Sequence, residues 1–180
     1  EDMEDKCNAL NGKYSKFLDE KKNIKAVVLI ARWSAYYNRL ELRRQRGKEE
    51  HDLPFDFYLG KTIDALHKAG KKVYVLTEVP PAPEQSIRPY IIRQLKYGQE
   101  SNLSTSLAAY MDEQQNVLKA FKRLEGEHDF TLIEPHKTMC RAGKCPLMGE
   151  GQSYYMDDDH ISDHGSVRFK DMYLPAFNNM

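Results

Sequence analysis

Apolar side chains along this chain fall into two alternating kinds of run. Leu10, Tyr14, Phe17 and Leu18 recur at helical spacing between charged residues, which predicts a helix over residues 1–23. Residues 24–31 (Ile-Lys-Ala-Val-Val-Leu-Ile-Ala) are aliphatic on both faces, the pattern of a strand buried inside a parallel sheet. Arg32-Trp33-Ser34 stands at its exit, and the densely charged stretch from Arg39 to Asp52 reads as a solvated excursion. Leu59, Ile63 and Leu66 form the core stripe of a helix from Phe55 to Ala69, stopped by Gly70. A second buried strand, Lys72 to Thr77, ends in Glu78-Val79-Pro80-Pro81-Ala82-Pro83, which can continue neither a helix nor a strand. A short helix is expected over Pro89 to Leu95. The longest helix is expected over Ser104 to Leu124, on Leu107, Tyr110, Met111, Val117, Leu118 and Phe121. Phe130 to Ile133 is a third strand, and His164 to Phe177 reads as a terminal helix broken at Pro175.

Strand, helix, strand, helix, strand, helix is the order of a parallel sheet wound by right-handed crossovers. The expected fold is therefore α/β, with three α/β/α layers and a flavodoxin-like strand order. In such sheets functional groups gather at the C-terminal strand edge. Here that edge carries Arg32-Trp33-Ser34, the Glu78–Pro83 loop and the segment after Ile133. No internal repeat or linker divides the 180 residues, so a single domain is expected over 1–180.

Charge narrows the partners. Lys and Arg number 27 and so do Asp and Glu, leaving no positive excess for a nucleic-acid groove. No apolar run approaches the roughly 20 residues needed to span a bilayer. The chain begins Glu1-Asp2-Met3, which suggests a piece of a longer protein. Of three cysteines, Cys140 and Cys145 form C-x4-C in a polar loop containing Gly143. That spacing admits a disulfide, two free thiols or half of a metal site, and the second Cys pair a zinc site needs is absent. Cys7 is either a buried thiol or pairs outside these residues. A disulfide would favour an extracytoplasmic compartment.

The stretch that carries chemistry is Tyr155-Met156-Asp157-Asp158-Asp159-His160-Ile161-Ser162-Asp163-His164-Gly165. An Asp three residues before a His, in a loop leading into a helix, places both on one side of a turn. The carboxylate can then bond the imidazole Nδ1–H and leave the other nitrogen free to take a proton from a hydroxyl. The bland reading is a solvated acidic turn with a helix cap. Asp158 and Asp159 read as cap and solvent residues. Three Asp with His160 and His164 also raise a metal site, but no Gly-punctuated calcium loop and no H-E-x-x-H is present, so no metal is expected. Ser34 lacks the Gly-rich elbow of a nucleophile. His67 reads as a boundary residue, and His51, His128 and His136 as bystanders. Arg43, Arg44, Arg46 and Lys48 are offset by Glu41, Glu49 and Glu50 and read as a solvated face.

The Asp157-to-Gly165 block resembles the last signature of the SGNH (GDSL-like) esterase and acyltransferase superfamily, a D-x-x-H before a small-residue helix start. The fuller form is closer still. The cysteine loop, Tyr155-Met156-Asp157-Asp158-Asp159-His160-Ile161-Ser162 and the strand exit Val27 to Tyr36 are similar to the periplasmic SGNH domain fused to bacterial membrane acyltransferases. The resemblance runs over residues 7 to 170. It implies a Ser-His-Asp site with Asp157 as the acid and His160 as the general base, and no cofactor. It implies an acyl donor, a polysaccharide acceptor such as lipopolysaccharide O-antigen, and a membrane acyltransferase domain in the parent chain. The location implied is the periplasmic face of the bacterial inner membrane. Arg32 would contact an anionic sugar, while Trp33 would either stack on a sugar ring or pack in the core beneath the loop. The family's Gly-Asp-Ser block has no match, nor has its Gly-x-Asn, where Ala31-Arg32-Trp33 stands. The domain is thus expected to lack its first strand and its nucleophile. The alternatives are a free-standing secreted esterase and a non-catalytic saccharide-binding module.

Overall fold

The computed structural model describes residues 3–45, 53–82 and 103–177, together with Ile87, Pro89, Ile92, Lys96 and Tyr97; the side chains of 3–8 and 43–45 are excepted. Cys7, Arg43, Arg44, Arg46, Lys48, His51 and most of the short helix expected over Pro89 to Leu95 lie outside what is described.

Three parallel strands form the central sheet. β1 (Ala26–Ile30), β2 (Lys72–Leu76) and β4 (Thr131–Ile133) stand in the order β1-β2-β4. Val28 pairs with Tyr74, and Tyr74 with Thr131. All three are the strands expected from the aliphatic runs. β2, between the other two, is buried from Val73 to Leu76. β1 is an edge strand, only half buried, with Ile30 65% exposed.

Four helices come from the 3.6-residue pattern: α1 (Met3–Glu20), α2 (Trp33–Gln45), α3 (Phe55–Lys68) and α4 (Leu107–Glu125). α2 and α3 connect β1 to β2, and α4 lies between β2 and β4. Alternate strand residues Val27, Leu29, Val73, Val75 and Leu132 face these helices. They meet Phe55, Leu59 and Ile63 of α3 and Val117, Phe121 and Leu124 of α4. Leu18 of α1 joins the same core. The opposite strand residues Val28, Tyr74, Leu76 and Ile133 pack against Leu147, Tyr154, Tyr155, Phe169 and Met172 from the C-terminal part of the chain. The sheet therefore lies between two layers, with both faces apolar as a parallel sheet requires.

Three local expectations are corrected. The solvated excursion from Arg39 is a continuation of α2 as far as Gln45, because Tyr37 and Leu40 still reach the core beside Phe55. Ser104–Ser106 is not the first turn of the long helix but a strand, β3, paired antiparallel with β5 (Lys144–Pro146); Ser106 then caps α4 by accepting from the Ala109 amide at 3.3 Å. The terminal helix is three short pieces, α6 (Asp163–Arg168), a 3-10 turn (Lys170–Tyr173) and α7 (Leu174–Phe177). Phe169 turns inward between the first two, and Pro175 offers no N–H to a longer helix. A five-residue helix, α5 (Pro135–Met139), and the small hairpin β6 (Met148–Gly149) and β7 (Gln152–Ser153) complete the described elements.

Two polar side chains tie these layers at the sheet. Lys71 is buried, and its ammonium donates to the carbonyls of Lys21 at 2.8 Å and Ile24 at 2.9 Å, fastening the turn after α1 to the start of β2. Trp33, at the first position of α2, donates from Nε1 to the Leu76 carbonyl at 2.6 Å. Its ring meets Phe55 and Phe121 edge-on, with centroids 6.2 and 5.7 Å apart. Only 8% of Trp33 is exposed, so of the two roles open to it the core role is the one the packing allows. Trp33→Phe strands the Leu76 carbonyl and is expected to cost about 1–3 kcal/mol. Phe121→Ala is expected to cost about 3–5 kcal/mol. Urea unfolding measures both, and an unchanged midpoint in Trp33→Phe would place the indole outside the core.

Candidate active site

The site is assembled where the chain returns over the C-terminal ends of β1 and β2. Tyr155 is buried and its hydroxyl donates to the Pro80 carbonyl at 2.7 Å. Burial pushes the Tyr155 phenol pKa well above its ordinary value, so it remains a donor. Two residues on, the backbone loops. Met156 N–H donates to the His160 carbonyl at 2.8 Å, and Tyr155 bridges Ile161. The Ala82 amide donates to the Asp158 carbonyl at 2.8 Å. The Asp157–His160 turn is therefore fastened to the loop after β2 through Pro80 and Ala82.

Ser162 ends the turn as the N-cap of α6. Its Oγ accepts from the Gly165 amide at 3.1 Å and donates to the Ser153 carbonyl at 2.7 Å. Gly165 is required by space rather than by conformation, because a Cβ there would lie 2.2 Å from the Tyr154 carbonyl oxygen. His164 stacks on the Tyr154 ring and belongs to this packing, not to the exposed turn.

Asp157 and His160 come together as the sequence pattern implied. His160 Nδ1 lies 2.9 Å from Asp157 Oδ2 and 3.0 Å from Oδ1. Asp157 Oδ1 also accepts the backbone amides of His160 at 2.8 Å and Asp159 at 3.0 Å. The His160 amide, then that of Asp159, hold the Asp157 carboxyl pKa below its ordinary value. With Nδ1 spoken for, Nε2 has no partner among the described residues, and His160 is exposed. The pair can accept a proton at Nε2 and stabilise the resulting imidazolium.

Asp159, expected to face solvent, also reaches the ring. Its Oδ1 is 3.0 Å from His160 Nδ1, and its Oδ2 is 3.3 Å from Arg32 Nε. Arg32 comes from the β1–α2 junction, so the pair joins the strand exit to the turn. Asp157, Asp159 and His160 have ligand atoms within 4.8 Å of one another. In the structure these groups engage one another and Arg32 as an ion-pair network.

The remaining candidates are placed elsewhere. Ser34 donates its backbone N–H to Glu78 Oε1 at 2.5 Å and its hydroxyl to Oε2 at 3.1 Å, so Glu78 caps the start of α2. Gln114 donates to the same Oε2 at 3.2 Å, and the Tyr110 hydroxyl to the Glu78 carbonyl at 2.8 Å. Burial raises the Tyr110 phenol to about 12, which keeps that donor protonated. His136 is buried beside Tyr110 and burial lowers its pKa. His128 bonds Asp64 at 2.8 Å, and His67 the Asp129 carbonyl. Cys140 and Cys145 are joined by a disulfide with their Cα atoms 4.0 Å apart, which closes the alternatives left by their spacing. The bridge sits on a tight turn in which Ala142 and Gly143 take positive φ.

The family model described as "SGNH domain (fused to AT3 domains)" matches residues 1–175. The chain is also similar to a solved structure, the periplasmic domain of a lipopolysaccharide acetyltransferase from Salmonella ser. Paratyphi A. That similarity has 16% identity and a TM-score of 0.48, and covers 67% of this chain. This chain spans about half of that one, 48%. No curated protein matches.

The Asp157 turn has a defined pH dependence. Its depressed pKa adds stability that is complete above the ordinary carboxylate value of 3.8 and is lost as pH falls through the lower folded value. Carboxyl-carbon NMR of Asp157 is expected to give a midpoint below 3.8. A midpoint at or above that value would mean the two amides do not point at the carboxylate in solution.

Proposed function

The chain belongs to the SGNH domains that are fused to AT3 domains, and from that premise we propose that it is the acyl-transfer domain of a cell-envelope O-acyltransferase. One observation carries the reading: Asp157 engages His160 at Nδ1 and leaves Nε2 open at the C-terminal edge of a parallel sheet. The nucleophile is a serine supplied by residues upstream of this chain.

The sheet supports that source. Among the described residues β1 has an unpaired edge, and its apolar side chains border a groove of about 690 Å³ lined by Tyr14 and Leu18 of α1, Val27 and Leu29 of β1, and Leu40 and Phe55. α1 packs on the same face as α2, α3 and α4. The connections from β1 to β2 and from β2 to β4 carry their helices on that face. With the right hand that such crossovers take, a strand preceding α1 would lie on the free side of β1, and if parallel it would end at the same sheet edge as Arg32 and the Asp157–His160 turn.

The chemistry is two-step acyl transfer. The serine hydroxyl attacks the donor's acyl carbonyl as His160 Nε2 takes its proton. The imidazolium, stabilised by Asp157, returns that proton to the leaving group, and an acyl-serine remains. A sugar hydroxyl of a surface polysaccharide then gives its proton to Nε2 and attacks the acyl carbon, releasing the serine. Water in place of the sugar makes the product a free acid. The AT3 domains of the parent chain would deliver the acyl donor across the membrane. No helix among the described residues is long and apolar enough to cross one. The periplasmic face of the inner membrane is the site this reading assigns, consistent with the disulfide.

In the full-length parent protein, His160→Ala is expected to lower polysaccharide acylation by about a thousand-fold or more. Mass spectrometry of the released glycan measures it. Undiminished acylation in that variant would overturn the reading. Acid release without glycan modification would instead assign the domain to ester hydrolysis.

A further inference from the structure

Sequence reasoning placed Arg32 on the substrate and Asp159 in solvent. The structure joins them to each other and to the base. His160 Nδ1 carries a single proton, yet carboxylate oxygens of two different residues stand about it, Asp157 at 2.9 Å and Asp159 at 3.0 Å. One N–H cannot serve both fully, and two carboxylates at one nitrogen repel each other. Asp157 is fixed by the backbone amides of Asp159 and His160. Asp159 has no such amide contact; its other oxygen is held by Arg32 Nε at 3.3 Å. Asp159 is the more buried of the two carboxylates, its side chain 23% exposed against 45%. Arg32 is set in place by its own element, since its carbonyl accepts the Tyr36 amide at 3.2 Å as α2 begins.

We propose that Arg32 and Asp159 are positioning residues: Arg32 neutralises and holds Asp159, and Asp159 is the second wall that fixes the His160 ring. Arg32 thus acts through Asp159 rather than by contacting a sugar. This assignment rests on His160 being the base of the proposed reaction, but the ring geometry stands apart from any activity. The charged groups on the elements packed here are Asp157, Asp158 and Asp159 on the turn itself and Arg32 on the β1–α2 junction. At the head of the loop after β2 is Glu78, already engaged by Ser34 and Gln114.

The signs follow from charge. Arg32→Ala leaves Asp159 uncompensated beside the ring, which favours the imidazolium and raises the pH at which His160 loses its proton. Asp159→Asn removes a negative charge and lowers that pH. In the Asp159→Asn background, Arg32→Ala is expected to leave the titration where Asp159→Asn alone puts it.

The test is histidine NMR on the chain, following His160 Cε1–H through pH in wild type, the two single variants and the double variant, each matched for thermal unfolding. Opposite shifts from the singles, with the double matching Asp159→Asn alone, support the assignment. Singles that leave the titration in place, or shift it in the same direction, overturn it. Kinetics in the full-length parent give an independent readout. Positioning predicts a fall in kcat, with the acid limb of kcat/KM moved up in Arg32→Ala and KM held within about two-fold. A rise in KM alone, with an unmoved titration, would return Arg32 to the substrate. If His160→Ala retains full activity, the catalytic reading fails, while the NMR titration still decides whether Arg32 and Asp159 govern the ring.

Discussion

Two backbone amides converge on one carboxylate oxygen of Asp157, and the exposed turn at the heart of the site depends on them. Residues 156–160 have no ladder or helix of their own, so their backbone groups need other partners. Asp157 accepts from Asp159 and His160, and the Met156 amide closes the loop on the His160 carbonyl. The side chain that faces the imidazole is therefore also the one that builds the turn. Its charge is stabilised by those amides before the histidine contributes anything, and the acid is fixed in place by the same bonds. Geometry and electrostatics are not separable at this position: losing the carboxylate loses both the partner of Nδ1 and the shape that presents the ring.

The turn is held to a rigid base by neighbours that are not themselves reactive. Tyr155 and Ala82 join it to the loop after β2. Beneath, Glu78 takes hydrogen bonds from Ser34, Gln114 and Tyr110, so the exit of β2, the start of α2 and the middle of α4 meet at one residue. Trp33 adds the bond to Leu76 from the other side. This is why Arg32 can act on the turn at all. It stands between a strand end and a helix start whose positions are both set by buried hydrogen bonds.

The sheet and its flanking helices were legible because β2, β4, α3 and α4 bury one consistent set of side chains each, and periodicity records burial. Asp157 with His160 was legible because three-residue spacing in a loop is short enough for local geometry to decide. What failed to show was decided by pairing across long separations. Ser104–Ser106 has no strand-like composition and becomes one only because Lys144–Pro146 arrives beside it, on a turn clamped by the disulfide. Arg32 and Asp159 are 127 positions apart, and nothing in a run of three acids says which of them will find a cation. Trp33 looked available for a ligand because strand exits line clefts. The helix that begins at that residue instead turns the indole back under β2.

The same pattern that placed β1 correctly also misjudged its surroundings, and the mismatch is informative. Ala26-Val27-Val28-Leu29-Ile30 is written as an interior strand, aliphatic on both faces and free of the Lys, Pro or bulge that proteins use to blunt an exposed edge. Yet among the described residues it is an edge, with Ile30 open and an apolar groove alongside. β2 is enclosed from Val73 to Leu76, so the composition of β1 is not explained by the contacts it makes here. A strand selected only for this environment would carry polar residues on its open side. On the proposed reading its aliphatic character follows from a second parallel neighbour, since right-handed winding through α1 would seat a preceding strand on the free side of β1.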